Sequence, residues 1–388
     1  MSLTLLNVYG PRQRRFVGGS GCWLVDVDGR RYLDLLAGIA VVSLGHAHPA
    51  VTRALTSQAQ RLWHTSNIFD SDVADAALRA LDAPLAAIGD AKVFFANSGA
   101  EANEAALKLV RRARPGQSRI VALKGAFHGR TAGALSLTGQ SSKRAPFEPL
   151  VPDIVHVDPN EPEALEAAVA DPSTAAVIVE PILGEAGVRP LSAAAVAAIE
   201  RGRARSGALL VVDEVQAGLG RTGFWLASEG VGLCPDAVTL AKALGNGYPV
   251  GAMVARVGVG DVLVPGDHGS TFGGNPLALA VVAAVARELV ALDAPRQARE
   301  RGALLATLLA EVEGVVQVEG AGLMLGAELA APIAHRVVEL ALDEGVIANA
   351  TGPTRLRLVP PLVIAEEEVR FGVARLARAI ERALEEVG

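Results

Sequence analysis

The chain lacks the features that would tie it to a membrane, an oxidising compartment or a structural metal. Its two cysteines, Cys22 and Cys234, form no CxxC pair, so neither a disulfide framework nor a zinc site is predicted. His46 and His48 have no further ligand nearby, which favours a loop over a metal pair. The longest apolar runs, such as 276–286, fall short of the roughly 18 residues that span a bilayer, and the N-terminus has no apolar signal region. We therefore expect a cytoplasmic protein with no membrane partner.

The charge of the chain excludes a further class of partner. Its 36 Lys+Arg residues stand against 42 Asp+Glu residues, which gives a net charge of −6, and no block of like charge occurs. This balance predicts no nucleic-acid surface and no anionic-membrane surface. Small molecules and further copies of the chain are the expected partners.

The length of the chain predicts more than one hydrophobic core. Its 388 residues, of which 51% are hydrophobic, exceed the roughly 250–300 residues that a single core usually serves. We expect an N-terminal segment, 1–50, that packs with a small C-terminal domain, 276–388, and a large domain formed by 51–275.

The middle of the chain alternates short β-rich runs with helical stretches. The predicted strands are 92–95, 119–123, 154–157, 175–180, 208–213 and 236–240. Such alternation is typical of a mostly parallel α/β sheet, in which ligands bind at the carboxyl ends of the strands. Residues of chemical character follow these ends repeatedly, at Ser98-Gly99, Phe127-His128, Glu185, Asp213 and Lys242.

The two ends of the chain have a different pattern. Asp28-Gly29 predicts a two-residue hairpin turn between strands at 23–27 and 31–34. Helical patterns run from about 275 to 312, followed by strand-like runs near 315–319, 324–329 and 355–359 and a last helix from about 366 to 387. This part predicts a smaller α+β domain.

Lysine is scarce, and one lysine stands in an unusual context. The five lysines lie at 92, 108, 124, 143 and 242, against 31 arginines. Lys242 follows an apolar run between Ala241 and Ala243, and its neutral amine can attack a carbonyl carbon, which a guanidinium cannot do at ordinary pH. We predict that Lys242 is a covalent handle. The alternative is a lysine that extends its head into water from the end of a strand.

Three further groups could complete a site around Lys242. Ser98, Gly99 and Ala100 begin a helix and could hold a phosphate, although this stretch taken by itself favours a plain helix cap at Ser98. Asp213 ends an apolar strand and could keep a ring nitrogen protonated. In 125–131, an aromatic side chain could stack on a planar ring and an arginine could bind a carboxylate in a bidentate manner. Together these are the parts of a pyridoxal phosphate site.

Motifs along essentially the whole chain carry a family resemblance. They are LGHAHPAV, HTSNIF, FFANSGAEANEAALKL, FHGRT, EPILGEAGV, VVDEVQAGLGRTG, AKALGNGYP, GSTFGGNPLA and RLRLVPPLVI. The chain resembles the class III pyridoxal-phosphate-dependent aminotransferases of fold type I, most closely the acetylornithine group. The implied fold is a large, mostly parallel α/β sheet domain and a smaller α+β domain built from the C-terminal part and the N-terminal segment.

The resemblance also implies roles for individual residues. Lys242 would bind the cofactor covalently, Asp213 would pair with its pyridine nitrogen, and Gln216 would approach its ring hydroxyl. The other implied cofactor-binding residues are Phe127 and His128 at the ring, Ser98, Gly99 and Ala100 at the phosphate, and Ser270 and Thr271 at the phosphate of a neighbouring subunit.

The implied substrate-binding residues are Arg130 and Arg357, which resemble two carboxylate-binding arginines, Glu185, which would pair with Arg357, and Asn67. Glu185 is also expected to take part in catalysis with Lys242 and Asp213. The HTSNIF run favours an acylated substrate over free ornithine. Leu183 departs from the family, whose members commonly have glutamine there, and this leaves the polar contacts of that loop open.

The activity implied by the resemblance is that of a homodimer with shared active sites. It would transfer the δ-amino group of N-acetylornithine to 2-oxoglutarate, giving N-acetylglutamate 5-semialdehyde and glutamate in arginine biosynthesis. Alternatives of the same fold would use succinylornithine, ornithine, 4-aminobutyrate or a carrier-linked lysine, or would be an aminomutase. A catalytically silent phosphate-binding protein is the alternative from another class. It would not explain why Lys242 and Asp213 are present.

Overall fold

The computed structural model describes residues 3–9 and 13–387. Residues 1, 2 and 10–12 of the predicted N-terminal segment and residue 388 of the predicted small domain lie outside the described residues. The strands are β1 Phe16–Ser20, β2 Trp23–Asp26, β3 Arg31–Asp34, β4 Ala91–Ala96, β5 Arg119–Leu123, β6 Ile154–Val157, β7 Thr174–Val179, β8 Ile182–Leu183, β9 Arg189–Pro190, β10 Leu209–Asp213, β11 Ala237–Leu240, β12 Gly251–Arg256, β13 Val315–Ala321, β14 Met324–Leu329, β15 Val346–Ile347, β16 Asn349–Ala350 and β17 Arg355–Leu358.

The helices are α1 Ala37–Ala40, α2 Pro49–Ala59, α3 Asp72–Leu81, α4 Gly99–Ala113, α5 Ala132–Leu137, α6 Ser141–Arg144, α7 Pro162–Ala170, α8 Ala193–Ser206, α9 Ala227–Val231, α10 Pro276–Ala291, α11 Ala294–Ala310, α12 Ala334–Asp343 and α13 Glu366–Glu385. Short 3₁₀ turns occupy Ala86–Ile88, Ala145–Phe147, Lys242–Leu244 and Gly260–Val262. Among the described residues, no helix combines the length and the apolar character needed to cross a bilayer.

A seven-stranded sheet forms the centre of the molecule, in the order β4-β12-β11-β10-β7-β5-β6. All of its strands are parallel except β12, which pairs antiparallel with both β11 and β4. The six strands predicted from the sequence begin and end within one residue of the observed strands. The inner strands β5, β7, β10 and β11 are buried on both faces of the sheet, so their continuous hydrophobic pattern is a reliable signal.

The seventh strand, β12, was not predicted. Its sequence, GAMVAR, contains glycine and alanine, which are depleted in strands. It forms a strand because it fills the gap between β11 and β4, where nearly all of its residues are buried. Tertiary packing therefore overrides a weak local preference.

The predicted two-residue turn of the N-terminal hairpin was wrong. Trp23 pairs with Leu33 and Asp26 N bonds to Arg30 O, so the loop has the three residues 27–29. The Asp26 carboxylate accepts hydrogen bonds from the N–H groups of Asp28 and Arg30, and Gly29 adopts a positive φ of 79°. A three-residue hairpin loop with a glycine in the left-handed region accounts for this geometry.

The N-terminal strands pack with the C-terminal part of the chain. They form a sheet in the order β1-β2-β3-β15, in which Leu33 pairs parallel with Val346. Trp23 Nε1 also donates to Glu368 Oε1 of α13 over 2.6 Å. A second sheet, β13-β14-β17-β16, carries Arg357. In contrast, α10 packs mainly on α2 and α3, beside the large sheet.

Candidate functional site

The carboxyl ends of the central strands open into a cavity of about 420 Å³. Nine of the residues predicted from the sequence line it: Ser98, Gly99, Ala100, Phe127, His128, Arg130, Asp213, Gln216 and Lys242. They come together because each follows or ends a strand whose carboxyl end lies at the same edge of the sheet. The volume is within the range of small-molecule sites in proteins.

Lys242 directly follows the strand β11 and Ala241, and its backbone is strained. Its φ of 47° lies in the left-handed region, which costs a residue other than glycine about 1–3 kcal/mol. Burial, together with the positive charge of Arg357, lowers the pKa of the Lys242 amine from 10.5 to about 8, although Asp213 and Glu185 oppose the shift. Near physiological pH the protonated form still predominates, but the neutral, nucleophilic form of this amine is far more abundant than in an ordinary lysine.

Asp213, the last residue of β10, is held by three hydrogen-bond donors. Its Oδ2 lies 2.7 Å from His128 Nδ1 and accepts from Asn103 Nδ2 over 2.8 Å, while its Oδ1 accepts from Val215 N over 3.0 Å. Burial alone would lower the pKa of His128, but the hydrogen bond and the charge of Asp213 outweigh it and raise that pKa. The cavity thus has a fixed carboxylate at its floor, which suits a cationic ring nitrogen.

Asn103 is part of this arrangement, and the sequence reasoning missed it. Its Nδ2 donates to His128 O over 2.7 Å as well as to Asp213, and its Oδ1 accepts from Thr239 Oγ1 over 2.9 Å. The side chain is buried on α4. Asparagine is a weak helix former. Its presence inside a helix that borders a predicted site was therefore the signal that could have identified it as a site residue.

Glu180, which follows β7, is a second residue that was missed. Its Oε1 accepts from Phe127 N over 2.7 Å and its Oε2 accepts from Gly184 N over 3.1 Å. Burial raises the pKa of this carboxyl group. By accepting these two hydrogen bonds, Glu180 positions both the loop that carries Phe127 and the loop that carries Glu185. An acid at the end of a fully apolar strand was the sequence signal.

The N-terminus of α4 faces the cavity with its first turn. Ser98 Oγ accepts from Glu101 N over 3.2 Å, so Ser98 is a helix cap, as its alternative interpretation had it. The N–H groups of Gly99 and Ala100 begin this 15-residue helix, where no preceding carbonyl of the helix can pair with them. A Cβ on Gly99 would lie 2.9 Å from Val215 Cγ1, so the close packing here requires glycine. This geometry suits a phosphate group.

Arg357 and Glu185 meet at one side of the site. Arg357 is buried on β17, and its Nη1 lies 2.5 Å from Glu185 Oε1 and 3.3 Å from Gln216 Oε1. Its Nη2 donates to Asn349 Oδ1 over 2.8 Å. Burial would raise the pKa of Glu185, but the charge and hydrogen bond of Arg357 lower it. Glu185 therefore stays ionised and masks the guanidinium charge.

Two cations lie over the ring of Phe127. The Cζ atom of Arg130 is 5.6 Å from the ring centroid, and Nζ of Lys143 is 4.9 Å from it. Lys143 Nζ also lies 3.8 Å from Glu185 Oε2. Lys143 was not predicted as a site residue, although the scarcity of lysine that distinguished Lys242 applies to it equally.

Three predicted residues lie apart from the Lys242 cavity. Asn67, Ser270 and Thr271 line a separate cavity of about 610 Å³. Asn67 Nδ2 donates to Ser270 O over 3.0 Å and to Gly273 O over 2.9 Å. Asn97 Nδ2, which borders the Lys242 cavity, donates to Ser270 Oγ over 3.2 Å. The two cavities are therefore neighbours, but within a single chain they remain separate.

The burial of Leu183 explains why an apolar residue stands where the family commonly has glutamine. Leu183 lies in β8, is 4% exposed and packs in the main hydrophobic core. An apolar side chain fits this position. Gly184 beside it comes so close to Gln216 that an added Cβ would lie 2.6 Å from Oε1.

The site as a whole fits pyridoxal phosphate. It provides a lysine of lowered pKa, a carboxylate fixed among donors, a helix N-terminus packed too closely for a Cβ at Gly99, and an aromatic ring at the same cavity. In the same order, these features match the aldehyde, the ring nitrogen, the phosphate and the ring face of pyridoxal phosphate. Within the described residues, no group of three or more His, Cys, Asp or Glu forms a metal site.

Known proteins are similar to this chain over almost its whole length. The profile of the family Aminotransferase class-III matches residues 10–380. The acetylornithine aminotransferase of Mycolicibacterium smegmatis is 46% identical over 384 residues, which are 98% of this chain and 97% of that protein.

Two solved structures are also similar. That of N-acetylornithine aminotransferase from Stenotrophomonas maltophilia has a TM-score of 0.83 and 36% identity, and the match covers 98% of this chain and 99% of that one. That of the ornithine aminotransferase from Toxoplasma gondii, described as having partial occupancy of PLP at its active site, has a TM-score of 0.91 and 34% identity, and covers 97% and 92%.

Proposed function

The chain belongs to the class III aminotransferases, and from this premise we propose that it transfers the δ-amino group of N-acetylornithine to 2-oxoglutarate. The products are N-acetylglutamate 5-semialdehyde and glutamate, a step of arginine biosynthesis. The cofactor is pyridoxal phosphate, and the substrates are small amino and oxo acids. The observation that carries the proposal is the near full-length similarity to acetylornithine aminotransferases.

The residues at the cofactor have distinct roles in this proposal. When bound, pyridoxal phosphate accepts the electron pair of the C–H bond that breaks. Lys242 would hold the cofactor covalently, and its amine, once freed, would remove the proton from the substrate carbon as a base and return it as an acid. Asp213, which His128 and Asn103 position, would pair with the ring nitrogen and favour its protonated form.

The substrate side must accept two unlike donors. N-acetylornithine reacts at a carbon that has no carboxylate, whereas glutamate reacts at a carbon that has one. When N-acetylornithine is bound, Glu185 pairs with Arg357 and neutralises its charge. When glutamate is bound, Glu185 moves away from Arg357, and the α-carboxylate of glutamate binds the guanidinium in a bidentate manner. Arg130 would bind the distal carboxylate of both donors, and Gln216 would contact the ring hydroxyl of the cofactor.

We also propose a homodimer in which each active site uses residues of both chains. The placement of Asn67, Ser270 and Thr271 in a separate cavity supports this, because residues that serve the partner's site need not line their own. The cytoplasm is the proposed location, since Cys22 and Cys234 are both free thiols.

We propose the large α/β domain and the smaller α+β domain as the functional units, with 13–50 packed on the smaller one. Because α10 packs on α2 and α3, we place the boundary after this helix rather than before it.

A panel of amino donors with 2-oxoglutarate tests the proposed reaction. We expect kcat/KM for N-acetylornithine to exceed that for ornithine, succinylornithine, 4-aminobutyrate and carrier-linked lysine. A higher value for any of these would assign the chain to that donor, and an isomerised amino acid without oxo-acid consumption would indicate an aminomutase.

Covalent labelling tests the role of Lys242 in the same preparation. Borohydride reduction should attach the cofactor to Lys242. Lys242→Ala should abolish turnover, whereas Lys92→Ala should not, because Lys92 is exposed at the opposite end of β4. Labelling at another lysine would refute the assignment.

A further inference from the structure

Glu185 lies between two cations, and each of its carboxylate oxygens faces one of them. Oε1 is 2.5 Å from Arg357 Nη1, and Oε2 is 3.8 Å from Lys143 Nζ. The first contact is a short hydrogen bond and the second is an ion pair without one. A small rotation of the carboxylate would reverse which partner it contacts more closely.

Lys143 is held where it can serve as this second partner. It lies on α6, its side chain is 23% exposed, and its Nζ sits 4.9 Å from the ring centroid of Phe127. The ring is in turn positioned through the hydrogen bond from Phe127 N to Glu180. Burial lowers the pKa of Lys143, and the charge of Glu185 opposes that shift. The ammonium is thus paired with Glu185 rather than free in solvent.

We infer that Lys143 is the position to which Glu185 moves when the α-carboxylate of glutamate or 2-oxoglutarate occupies Arg357. This inference rests on the proposed function, because it assumes one donor with a carboxylate on the reacting carbon and one without. Lys143 then sets the equilibrium between Glu185 paired with Arg357 and Glu185 paired with Lys143. It is a specificity-determining residue of the site.

The physical reason is the cost of separating Glu185 from Arg357. The Glu185 side chain is only 25% exposed, so a carboxylate that left Arg357 with no cation in reach would be poorly solvated. Lys143 offers a charge on the opposite side of the same carboxylate, which offsets that cost. The α-carboxylate of the incoming substrate replaces Glu185 at Arg357, and each anion keeps a cation.

A different role for Lys143 would leave a different signature. Arg130 lies at the same Phe127 ring, so Lys143 could instead bind the distal substrate carboxylate together with Arg130. N-acetylornithine and glutamate both carry a distal carboxylate. A carboxylate-binding lysine would therefore affect the two donors alike, whereas a partner of Glu185 would affect them in opposite directions.

The test measures single-turnover kinetics of the holoenzyme with each donor in Lys143→Met, Glu185→Gln and the double variant. Titration with donor yields a dissociation constant and a maximal rate. For Lys143→Met we expect the glutamate dissociation constant to rise roughly tenfold, a usual size for coupling between groups, with the maximal rate little changed. N-acetylornithine should bind as well as before or better.

The double variant separates the two roles. With Glu185 uncharged, the further change Lys143→Met should alter glutamate binding by less than about twofold, because the ion pair no longer exists. Lys143→Arg should retain most of the glutamate affinity, and Lys92→Met should behave as the wild type. Cofactor absorbance and thermal melting, unchanged in Lys143→Met, exclude a loss of fold.

The outcomes distinguish this inference from the proposed function. An equal loss for both donors, or a loss of glutamate affinity that persists in the Glu185→Gln background, overturns the role of Lys143 and leaves the proposed function standing. If the wild type reacts with glutamate but with another ω-amine in place of N-acetylornithine, the proposed donor is wrong, and the comparison of Lys143 variants is made with that amine. A wild type that reacts with no ω-amine refutes both.

Discussion

His128 Nδ1 lies 2.7 Å from Oδ2 of Asp213, and both side chains are buried beneath the cavity that Lys242 borders. Asn103 donates to the same carboxylate oxygen and to the backbone oxygen of His128. Asp213 is therefore fixed in place by its neighbours. A cation that arrives in the cavity meets an anion that needs no rearrangement, which is the condition for efficient electrostatic stabilisation.

Removal of the Asp213 charge should reduce catalysis without unfolding the chain. Asp213→Asn keeps the shape but presents an amide to a ring nitrogen that must be protonated. We expect the single-turnover rate with either donor to fall by about 10²- to 10³-fold, the usual effect of losing one group that stabilises developing charge. Stopped-flow absorbance of the cofactor measures this rate.

Asp236→Asn is the matched control for that variant. Asp236 precedes β11 and pairs with Arg203 over 2.8 Å, at the end of the sheet opposite the cavity. Its substitution should lower thermal stability and leave the rate of the folded enzyme unchanged. Equal rate losses in the two variants would contradict the role given to Asp213.

The lowered pKa of Lys242 should appear in the reactivity of the apoprotein. Only the neutral amine is nucleophilic, so its reactivity rises with pH through the pKa and levels off above it. We expect half-maximal reductive methylation of Lys242 near pH 8, instead of near its ordinary pKa of 10.5. Mass spectrometry of the labelled peptide, over pH 6 to 10, measures the midpoint.

Arg357→Gln serves as the comparison for this titration. After burial, the Arg357 charge is the main cause that lowers the Lys242 pKa. Its removal should shift the midpoint upward. A wild-type reactivity that still rises steeply at about pH 10, as that of an unperturbed lysine does, would show that the site does not activate the amine.

The features that were predicted from the sequence are those that depend on local pattern. Apolar runs located six strands of the large sheet, and because parallel strands end at one edge, they also brought Asp213 and Lys242 into one cavity. Nine of the residues predicted from this pattern and from the family resemblance line that cavity. The strand β12 was missed because its small residues have no strand signature and only burial between two strands makes them one.

The features that were missed depend on contacts distant in sequence. Asn103 bonds to His128 and Asp213, which are 25 and 110 positions away, and Glu180 bonds to Phe127, which is 53 positions away. No local pattern specifies these three partners. Lys143 is separated from Glu185 in the sequence by the strands β6, β7 and β8 and the helix α7. The position of Thr271 relative to the cofactor stays a prediction, because it requires a second chain.

Glu185→Gln should change the preference between donors. Glutamine keeps the size of the side chain but no longer neutralises Arg357, so N-acetylornithine, which has no carboxylate on its reacting carbon, meets an exposed positive charge. We expect the rate with N-acetylornithine to fall about tenfold or more and the rate with glutamate to be retained or to increase. Single-turnover rates with both donors decide this, and an equal loss for both would show that Glu185 does not discriminate between them.

Mixed dimers should reveal whether Thr271 acts across the subunit interface. Thr271→Ala is expected to weaken cofactor binding, and Lys242→Ala to abolish turnover. If Thr271 serves the partner's site, a dimer of one chain of each kind has both defects in one site and none in the other. Equal mixing with exchange should then restore roughly a quarter of wild-type activity at low cofactor concentration, since half of the dimers are mixed and each has one intact site. If Thr271 serves its own chain, every site keeps one defect, and no recovery after confirmed exchange would rule out the shared site.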